Sequence, residues 1–302
     1  MKDLSPGLRL RSVLKEKPIL LPGAFNALSA QLIEQAGFDA VYISGAGLAN
    51  GVAGLPDIGL LSLTEVVSQV QYITHAVKIP AIADADTGFG EGVHFVRAMA
   101  AFEAAGVAGI QIEDQQFPKR CGHLSGKQLI TAEAMAQKIS AAAAQRRDPN
   151  LMIVARTDAR GVTDLNDAID RAQRYLDAGA DMIFPEALQS EEEFSEFAQK
   201  VKAPLLANMT EFGKSPALPA DVLFAMGYRM VLFPMTLFRI AAGAMEKGLE
   251  QLKREGMSKN MLDAMQTREA LYRLIRYDDY EARDRDRDPG HTRPASPRRR
   301  GA

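Results

Sequence analysis

Short apolar runs alternate along this chain with segments in which apolar residues recur every three or four positions. The short runs have the length of a strand buried on both faces, and the longer spacing is that of a helix with one buried face. Eight runs occur, namely Ile19–Leu21, Ala40–Ser44, Ala81–Asp84, Gly109–Glu113, Met152–Arg156, Met182–Glu186, Leu205–Asn208 and Met230–Pro234. Eight alternating strand and helix units predict an α/β fold of the (β/α)8 barrel type.

The helical spacing predicts where the helices lie. Between the strands, helices are predicted over Leu63–Val77, Val93–Ala105, Ala132–Ala144, Leu165–Ala178 and Glu192–Val201. After the eighth strand, the pattern predicts a long helix over Thr236–Glu255 and a further helix over residues 260–282. The further helix lies beyond the eight units, so it needs a surface to bury against, on its own barrel or on a neighbouring subunit. We expect residues 1–282 to form a single domain.

A repeated pattern collects polar residues at one end of the strands. Four predicted helices end in a glycine that can supply a left-handed cap, namely Gly37, Gly106, Gly179 and Gly227. Seven residues after the first three of these glycines, the strand ends in Ser44, Glu113 and Glu186. Asp84 and Asn208 end two strands that follow a proline. In a barrel, these ends meet at the rim where catalysis takes place.

Composition and charge narrow the class of protein. The 302 residues include 36 Lys and Arg and 38 Asp and Glu, so the formal charge of −2 excludes a generally basic nucleic-acid binder. Residues 289–302 carry four arginines and no acid, which leaves −6 on the rest. We predict that residues 283–302 form a disordered Arg-rich tail. The first residues lack the apolar core of a signal peptide, and no run reaches about 18 uncharged apolar residues, so we expect a cytoplasmic protein with no membrane contact.

Two aspartates and a glutamate are the candidate metal ligands. Asp84 and Asp86 are two apart and would face the same side of a strand, where their charges repel. A hard cation such as Mg²⁺ or Mn²⁺ would relieve that repulsion. Glu113 ends the next strand and adds a third carboxylate. We therefore predict a metal site at this rim.

A single cysteine is the candidate proton donor. Cys121 is the only cysteine in the chain, which excludes an intrachain disulfide and a cysteine-rich zinc site. It lies in the sequence Lys119-Arg120-Cys121-Gly122-His123, which has neither a helical nor a strand pattern. Neighbouring cations favour the thiolate or make the thiol an accessible acid, and such a loop can close over a site.

Several residues of the rim can hold anions. Arginine binds carboxylates with two parallel hydrogen bonds, so Arg156 and Arg239 after the fifth and eighth strands, together with Arg268, indicate a substrate with more than one carboxylate. Asn208 and Thr210 follow the seventh strand. Ser44, Gly45 and Ala46 offer backbone N–H groups to an oxyanion. The glycine spacing there is not a dinucleotide fingerprint.

Taken in order, these segments resemble the isocitrate lyase / phosphoenolpyruvate mutase superfamily. The resemblance spans roughly residues 10–282 and rests on KRCGH, typical of the lyase branch, with DADTGFG, QIED, VARTDA, FPEA and ANMTEFG. It implies a barrel whose last helix swaps between paired subunits, usually in a homotetramer. The segments NMTEFG, LFPMTLFR and MQTREALY are similar to the branch that acts on 2-methylisocitrate. For that branch the implied reaction is Mg²⁺-dependent cleavage of (2S,3R)-2-methylisocitrate to pyruvate and succinate, in the 2-methylcitrate cycle of propionate catabolism.

The resemblance also assigns roles by position. It implies that Asp84 and Asp86 bind the metal, with Glu113 in the metal's water shell. It implies that Cys121 protonates the succinate carbanion, with His123 tuning or resupplying the proton and Arg156 holding the negative charge that develops. The base is Tyr42 or a metal-bound water. The implied substrate contacts are Ser44, Gly45, Ala46, Cys121, Gly122, Arg156, Glu186, Asn208, Met209, Thr210, Arg239 and Arg268; the family often has Gly at position 46 and Ile at position 209.

Three other functions stay open at this point. A 2,3-dimethylmalate lyase would release propionate and pyruvate and needs fewer carboxylate contacts, whereas Arg239 and the NMTEFG segment favour a tricarboxylate. An oxaloacetate-acting enzyme such as a decarboxylase is disfavoured by KRCGH. A catalytically silent barrel used for binding is disfavoured by the full set of acids, arginines and cysteine.

Overall fold

The computed structural model describes residues 4–287 and contains a barrel of eight parallel strands. The strands are β1 Ile19–Ala24, β2 Val41–Ile43, β3 Ala81–Asp84, β4 Gly109–Glu113, β5 Met152–Thr157, β6 Met182–Pro185, β7 Leu206–Asn208 and β8 Met230–Phe233. Seven of them match the predicted runs to within one residue at each end, and β1 continues to Ala24. The predicted (β/α)8 fold is confirmed.

The strand order brings the predicted site residues to one rim. The strands pair in the order β6-β5-β4-β3-β2-β1-β8-β7, and a parallel bridge between Ile183 and Leu205 joins the two ends of this series. The register sets Glu113 of β4 beside Arg156 of β5. Because all strands run in one direction, their carboxyl ends meet at a single mouth of the barrel.

The helices follow the predicted alternation. They are α1 Pro6–Glu16, α2 Ala27–Gln35, α3 Gly45–Gly51, α4 Leu63–Ala76, α5 Val93–Ala104, α6 Ala132–Gln145, α7 Leu165–Asp177, α8 Glu191–Lys200, α9 Ala220–Met226, α10 Thr236–Glu255, α11 Arg268–Leu274 and α12 Tyr277–Arg287, with short 3-10 segments at Ala159–Gly161 and Lys259–Ala264. Helices α4 to α8 begin and end within one residue of their predictions, and α10 matches at both ends. Helices α2 and α9 were predicted only through the glycines that follow them, Gly37 and Gly227, and α1 and α3 have no counterpart among the predicted elements.

The predicted glycine caps are confirmed. Gly37, Gly106, Gly179 and Gly227 have φ angles of +85°, +84°, +106° and +108°. These left-handed conformations are strained for residues with a Cβ, so glycine lets each helix end and the chain turn into the next strand. The caps therefore fix the starting points of β2, β4, β6 and β8.

The prediction of one helix over residues 260–282 is wrong. This segment contains part of a 3-10 turn, then α11, then α12. The Thr267 hydroxyl accepts a hydrogen bond from the Ala270 N–H at 3.1 Å and starts α11 as an N-cap. Arg276, with φ of +57°, separates α11 from α12. Apolar spacing alone does not detect such a local cap, because the cap is a hydrogen-bonding signal and not a packing signal.

The C-terminal region differs from its prediction in a second way. Helix α12 continues to Arg287, so residues 283–287, which we expected to be disordered, are helical. The rest of the predicted tail, residues 288–302, lies outside the described residues. The chain forms two compact units, the first ending at Lys247 and the second beginning at Gly248. Among the described residues, none of the helices combines the length and apolar character needed to cross a membrane.

Apolar side chains fill one end of the barrel. Leu10 and Leu14 of α1 are buried and cluster with Met152, Met182 and Met230, each the first residue of its strand. A second cluster, which includes alternate residues of the same strands, packs between the barrel and the outer helices. Because the strand starts are covered by apolar side chains, the polar residues are left at the opposite rim.

A buried carboxylate joins β4, β5 and α7 just outside that rim. Asp114 is fully buried and accepts hydrogen bonds from the Thr157 hydroxyl at 2.7 Å, the Asp158 N–H at 2.9 Å and the Tyr175 hydroxyl at 2.7 Å. Arg171 of α7 lies 3.3 Å from the same carboxylate. Burial raises the pKa of Asp114, and these donors offset part of that cost. Asp114 thus orders the segment that follows β5.

This network gives a stability prediction. Replacing Tyr175 by Phe removes one buried hydrogen bond and should lower the free energy of unfolding by about 1–2 kcal/mol. Asp114→Ala leaves Arg171 and the other donors without their acceptor and should cost about 3–5 kcal/mol. Urea titration measures both. The exposed Tyr72→Phe on α4 is the matched control and should change the value by less than about 0.5 kcal/mol. Equal effects for the two tyrosines would contradict the proposed network.

Candidate active site

A cavity of about 330 Å³ opens at the carboxyl ends of the strands. Twelve predicted site residues line it, namely Tyr42, Ser44, Ala46, Asp84, Cys121, Gly122, His123, Arg156, Glu186, Asn208, Thr210 and Arg239. They come from β2, β3, β5 and β7 and from the segments that follow the strands. The barrel therefore brings together residues that lie up to about 200 positions apart in the chain.

Five predicted site residues are not among the lining residues, namely Gly45, Asp86, Glu113, Met209 and Arg268. Gly45 lies directly behind Asp84, because a Cβ on it would come within 2.9 Å of the Asp84 Oδ2 atom. Met209 is buried in the apolar cluster around the barrel. Arg268 is the first residue of α11 in the second unit. A direct substrate contact by Gly45, Met209 and Arg268 stays a prediction, as does metal binding by Asp86 and Glu113.

The three candidate metal ligands lie at and just after the ends of β3 and β4, where Glu113 is buried and Asp84 and Asp86 are partly buried. Burial, reinforced by the neighbouring Asp86 carboxylate, raises the pKa of Asp84 to about 6, and burial raises the pKa of Glu113 well above its ordinary value. The Glu113 Oε1 atom is buried and has no hydrogen-bond partner. Such excess negative charge and free carboxylate oxygens suit a hard divalent cation.

The same carboxylates already have protein cations beside them. The Lys119 Nζ atom lies 2.7 Å from the Asp86 Oδ1 atom, and the Arg156 Nη1 atom lies 3.2 Å from the Glu113 Oε2 atom. Within residues 4–287, no group of three or more His, Cys, Asp or Glu side chains is arranged around one point as a metal site. The donor set fits Mg²⁺ in chemistry, and its assembly around an ion stays a prediction.

Asp57 and Lys119 were not among the predicted site residues. Both line the cavity, and the nearly fully buried Lys119 ammonium forms ion pairs with Asp57 and Asp86. Burial lowers the pKa of Lys119, but Asp86, Glu113 and Asp57 outweigh burial and hold it well above its ordinary value. Lys119 therefore stays charged. Asp57 lies in the loop between α3 and α4. Its carboxylate is the only signal in the sequence from which a place in the site could have been predicted.

Arg156 is surrounded by three carboxylates. Its Nε and Nη2 atoms lie 2.9 and 3.1 Å from the two oxygens of Asp158, and its Nε atom lies 3.5 Å from Glu186. With Glu113 on Nη1, these carboxylates form what we call the Arg156 cluster. The guanidinium also lies over the Phe184 ring, 5.3 Å from its centre. It is thus a fixed positive charge that lines the cavity.

His123 connects two loops through Glu186. The Lys214 N–H donates to the His123 Nδ1 atom at 2.9 Å, and the His123 Nε2 atom lies 2.6 Å from Glu186 Oε1. Asn208 also donates to both Glu186 oxygens at 3.3 Å. Because Nδ1 accepts a hydrogen bond, the neutral ring carries its proton on Nε2. Both nitrogens are engaged, which favours a positioning role for His123 over the predicted supply of a proton to Cys121.

The Cys121 loop, residues 116–128, is held at its base and packs onto the Arg156 cluster. Gln115 and Leu129 form an antiparallel bridge on either side of the loop. A Cβ on Gly122 would lie 2.4 Å from an Arg156 Nη2 atom and 2.6 Å from Glu186. Only glycine permits this approach, so the position after Cys121 has no room for a side chain. Cys121 is partly exposed beside the cavity.

Tyr42 is placed as a hydrogen-bond donor. Its hydroxyl donates to the Gln111 Oε1 atom at 2.5 Å inside the barrel. Burial, followed by the Asp84 charge, raises the pKa of Tyr42 well above its ordinary value. A general base must be deprotonated, so this environment disfavours the predicted base role of Tyr42.

Arg239 supplies a second cation, at the mouth of the cavity. Its Nε atom lies 3.4 Å from Glu211, and its guanidinium lies 5.2 Å from the centre of the Phe212 ring. The Arg239 side chain remains 41% exposed, so its charge is accessible to a ligand. Two arginines on one cavity can bind two carboxylates, or stabilise negative charge that develops on a substrate.

The fold and cavity together define a (β/α)8 enzyme barrel with an acidic group, a thiol and two arginines at its catalytic rim. The chain belongs to the phosphoenolpyruvate phosphomutase family, whose model matches residues 10–253. The family resemblance of the sequence is thereby confirmed.

Several relatives share almost the whole chain. A 2-methylisocitrate lyase of Aeropyrum pernix is 51% identical over 280 residues, which cover 92% of this chain and 90% of that protein. The 2-methylisocitrate lyases of Bacillus subtilis and Escherichia coli are 46% and 43% identical over 278 and 279 residues, covering 92% of this chain and 91% and 94% of theirs.

Solved structures of the same superfamily share the fold. A crystal structure of 2,3-dimethylmalate lyase matches with a TM-score of 0.89 at 34% identity, covering 94% of this chain and 96% of that chain. A structure of oxaloacetate acetylhydrolase with 3,3-difluorooxalacetate matches with a TM-score of 0.89 at 30% identity, covering 96% and 99%.

The Arg156 cluster gives a prediction on pH and stability. Burial alone would raise the pKa of Glu186, but Arg156 and the His123 hydrogen bond outweigh it and lower the pKa from 4.5 to about 2. A lowered pKa stabilises the folded state above pH 4.5, and this contribution is lost as the pH falls toward 2. Glu186→Gln should therefore lower the free energy of unfolding by roughly 3 kcal/mol at pH 7.

Urea titrations at several pH values check this expectation. The difference between wild type and Glu186→Gln should shrink steadily as the pH falls from about 4.5 to 2. Glu191→Gln, at an exposed position on α8, is the matched control and should stay within about 0.5 kcal/mol throughout. A difference that is independent of pH would show that Glu186 stabilises the fold by packing and not by its charge.

Proposed function

We propose that this protein is a carbon–carbon lyase that cleaves (2S,3R)-2-methylisocitrate to pyruvate and succinate. The observation that carries the proposal is the close approach of Gly122 to Arg156 and Glu186, which sets the residue next to Cys121 against a buried guanidinium in the cavity that Cys121 lines. The identity of 43% to 52% with 2-methylisocitrate lyases over most of the chain supports the same substrate.

The substrate is a tricarboxylate, and the cavity offers separate places for its anionic groups. Arg239 at the mouth and Arg156 deeper in the cavity bind two of the carboxylates. The Ser44–Ala46 segment at the start of α3 receives the pyruvate-like end through its backbone N–H groups. Thr210, which follows β7 and lines the cavity, adds a hydroxyl. This division fixes the C2–C3 bond between the two halves of the substrate.

The proposed cofactor is Mg²⁺, with Mn²⁺ as a substitute. Asp84 and Asp86 would hold the ion, and Glu113 would contact its water shell, consistent with the raised pKa values of Asp84 and Glu113. When bound, the ion polarises the C2 hydroxyl and its adjacent carboxylate and makes the hydroxyl easier to deprotonate. The Lys119 ammonium, 2.7 Å from the Asp86 Oδ1 atom, offsets part of the negative charge of these carboxylates.

The chain's own groups account for the charge and the proton. The C2 hydroxyl would give its proton to a water of the metal site, the alternative base to Tyr42. As the C2–C3 bond breaks, its electron pair passes to C3 of the succinate half, which becomes an aci-carboxylate. The buried Arg156 and the accessible Arg239 stabilise this negative charge. The Cys121 thiol then gives its proton to C3, and succinate and pyruvate result. His123 and Glu186 hold the loop that presents the thiol.

The pathway, assembly and location are part of the same proposal. The reaction would be the lyase step of the 2-methylcitrate cycle in propionate catabolism. A homotetramer of helix-swapped dimers is proposed for the assembly, and the cytoplasmic location stays a prediction. None of the described residues of α10 is buried. Its apolar side chains include Ile240 and Met245, which are 63% and 59% exposed. A helix with such a face is typical of a subunit interface.

A substrate comparison tests the proposal. The full chain is incubated with Mg²⁺ and, separately, with 2-methylisocitrate, isocitrate and 2,3-dimethylmalate, while release of pyruvate or glyoxylate is followed. We expect 2-methylisocitrate to give the highest kcat/KM, since Arg239 has no carboxylate partner in dimethylmalate. Preference for dimethylmalate would assign the activity of the solved structural neighbour instead. Preference for isocitrate, or no pyruvate from any substrate, would refute the proposal.

The role of the thiol gives a second prediction. Cys121→Ala should lower kcat for 2-methylisocitrate by at least about 10²-fold, because it removes the proton donor. Mg²⁺ affinity, measured by calorimetry, should be unchanged, since Cys121 is not one of the proposed ligands. Asp84→Asn is the comparison variant and should weaken Mg²⁺ binding. Retained turnover in Cys121→Ala would remove Cys121 from the acid role.

A further inference from the structure

We propose that Lys127 is a positioning residue that ties the Cys121 loop to Arg156. This inference rests on the proposed function for its effect on catalysis, but its structural content concerns the loop alone. The Lys127 side chain is fully buried and lies at the base of the loop, five residues after Gly122. A lysine ammonium is costly to bury unless acceptors surround it, so its partners matter.

Lys127 has one partner on each side. Its Nζ atom donates to the Gly122 carbonyl, next to Cys121, and lies 2.7 Å from the Asp158 Oδ1 atom. Asp158 is also fully buried and forms two hydrogen bonds with Arg156. The chain of contacts therefore runs from the backbone beside the thiol, through Lys127 and Asp158, to the guanidinium.

Asp158 is itself held in place from behind. Its N–H donates to Asp114, which is fixed by donors from β5 and α7. Because Asp158 is fixed to the barrel in this way, its ion pair with Lys127 holds the loop in place relative to the barrel. On the other side of Cys121, the Gln115 side chain makes two hydrogen bonds of 2.9 Å with the Arg120 backbone. The backbone on both sides of Cys121 is thus held by a buried side chain.

The space around Lys127 is closely fitted. A Cβ on Gly161, at the end of the 3-10 turn after β5, would lie 3.0 Å from the Lys127 Nζ atom. Lys127→Met removes the ammonium and keeps a flexible apolar chain of similar length. Gly161→Ala keeps the ammonium and crowds it. The two variants disturb the same contact in different ways.

Lys138 provides a matched control. Its side chain is 2% exposed, and its Nζ atom donates to the Thr87 carbonyl at 2.8 Å and to Glu91 at 2.8 Å. Lys138→Met therefore removes an equally buried ammonium that also binds one carbonyl and one carboxylate. It has no contact with the Cys121 loop among those that the structure describes.

The test follows alkylation of Cys121 by iodoacetamide, without substrate or metal. Since the chain has one cysteine, the reaction reports on this position alone. We expect Lys127→Met to increase the alkylation rate about tenfold, because the loop loses a charged hydrogen bond and exposes the thiol more often. Gly161→Ala should accelerate it by about two- to threefold, and Lys138→Met should leave it within twofold. Thermal unfolding of each variant confirms that it is folded.

Kinetics separate positioning from stability. With 2-methylisocitrate, Lys127→Met should lower kcat by about tenfold or more with a smaller change in KM, because misplacing the thiol affects the reaction more than binding. Alkylation rates of folded Lys127→Met and Gly161→Ala that match wild type would overturn the inference. If Lys127→Met does not fold, the Gly161→Ala rate decides. Absence of lyase activity in wild type would refute the proposed function and leave the alkylation result standing.

Discussion

The organisation of the site depends on one buried cation, the guanidinium of Arg156, held among Glu113, Asp158 and Glu186. Each of these charges would be costly to bury alone, and each is tolerated because the others compensate it. Gly122 of the Cys121 loop packs against the same guanidinium. Arg156, at the end of β5, therefore contributes the central positive charge of the cavity and limits how closely the Cys121 loop can approach the barrel.

The fold was predictable because its signals are local and repeated. Apolar runs recur in all eight units and glycine caps in four of them, so β1 to β8 and α4 to α8 follow from spacing alone. Helix α1 has no such repeat; its signal is Ser5, whose hydroxyl caps the helix, followed by Pro6 at its first turn. The break before α11 depends likewise on the Thr267 cap. Caps are single hydrogen bonds, which hydrophobic periodicity does not detect.

The sequence predicts which residues line the cavity better than it predicts the chemical role of each residue. Strand ends converge in any parallel barrel, so position and residue type were enough to bring Asp84, Glu186 and Arg156 together. Roles depend on neighbours that are distant in sequence, as Lys119 meets Asp57 across 62 positions. Residue type suggests Tyr42 as a base, yet burial keeps its proton in place by raising its pKa. Protonation is a property of the surroundings, and the surroundings exist only after folding.

The two loops at the rim are coupled because they meet on one carboxylate. His123 of the Cys121 loop lies on Glu186 and accepts from the Lys214 N–H, while Asn208 at the end of β7 donates to the same Glu186. Displacing either loop would remove a partner of the Glu186 carboxylate beside Arg156. The contact of Glu186 with the other loop would then also be weakened. The thiol and the β7 residues are therefore positioned together. A single buried acid can thus make the assembly of the cavity cooperative.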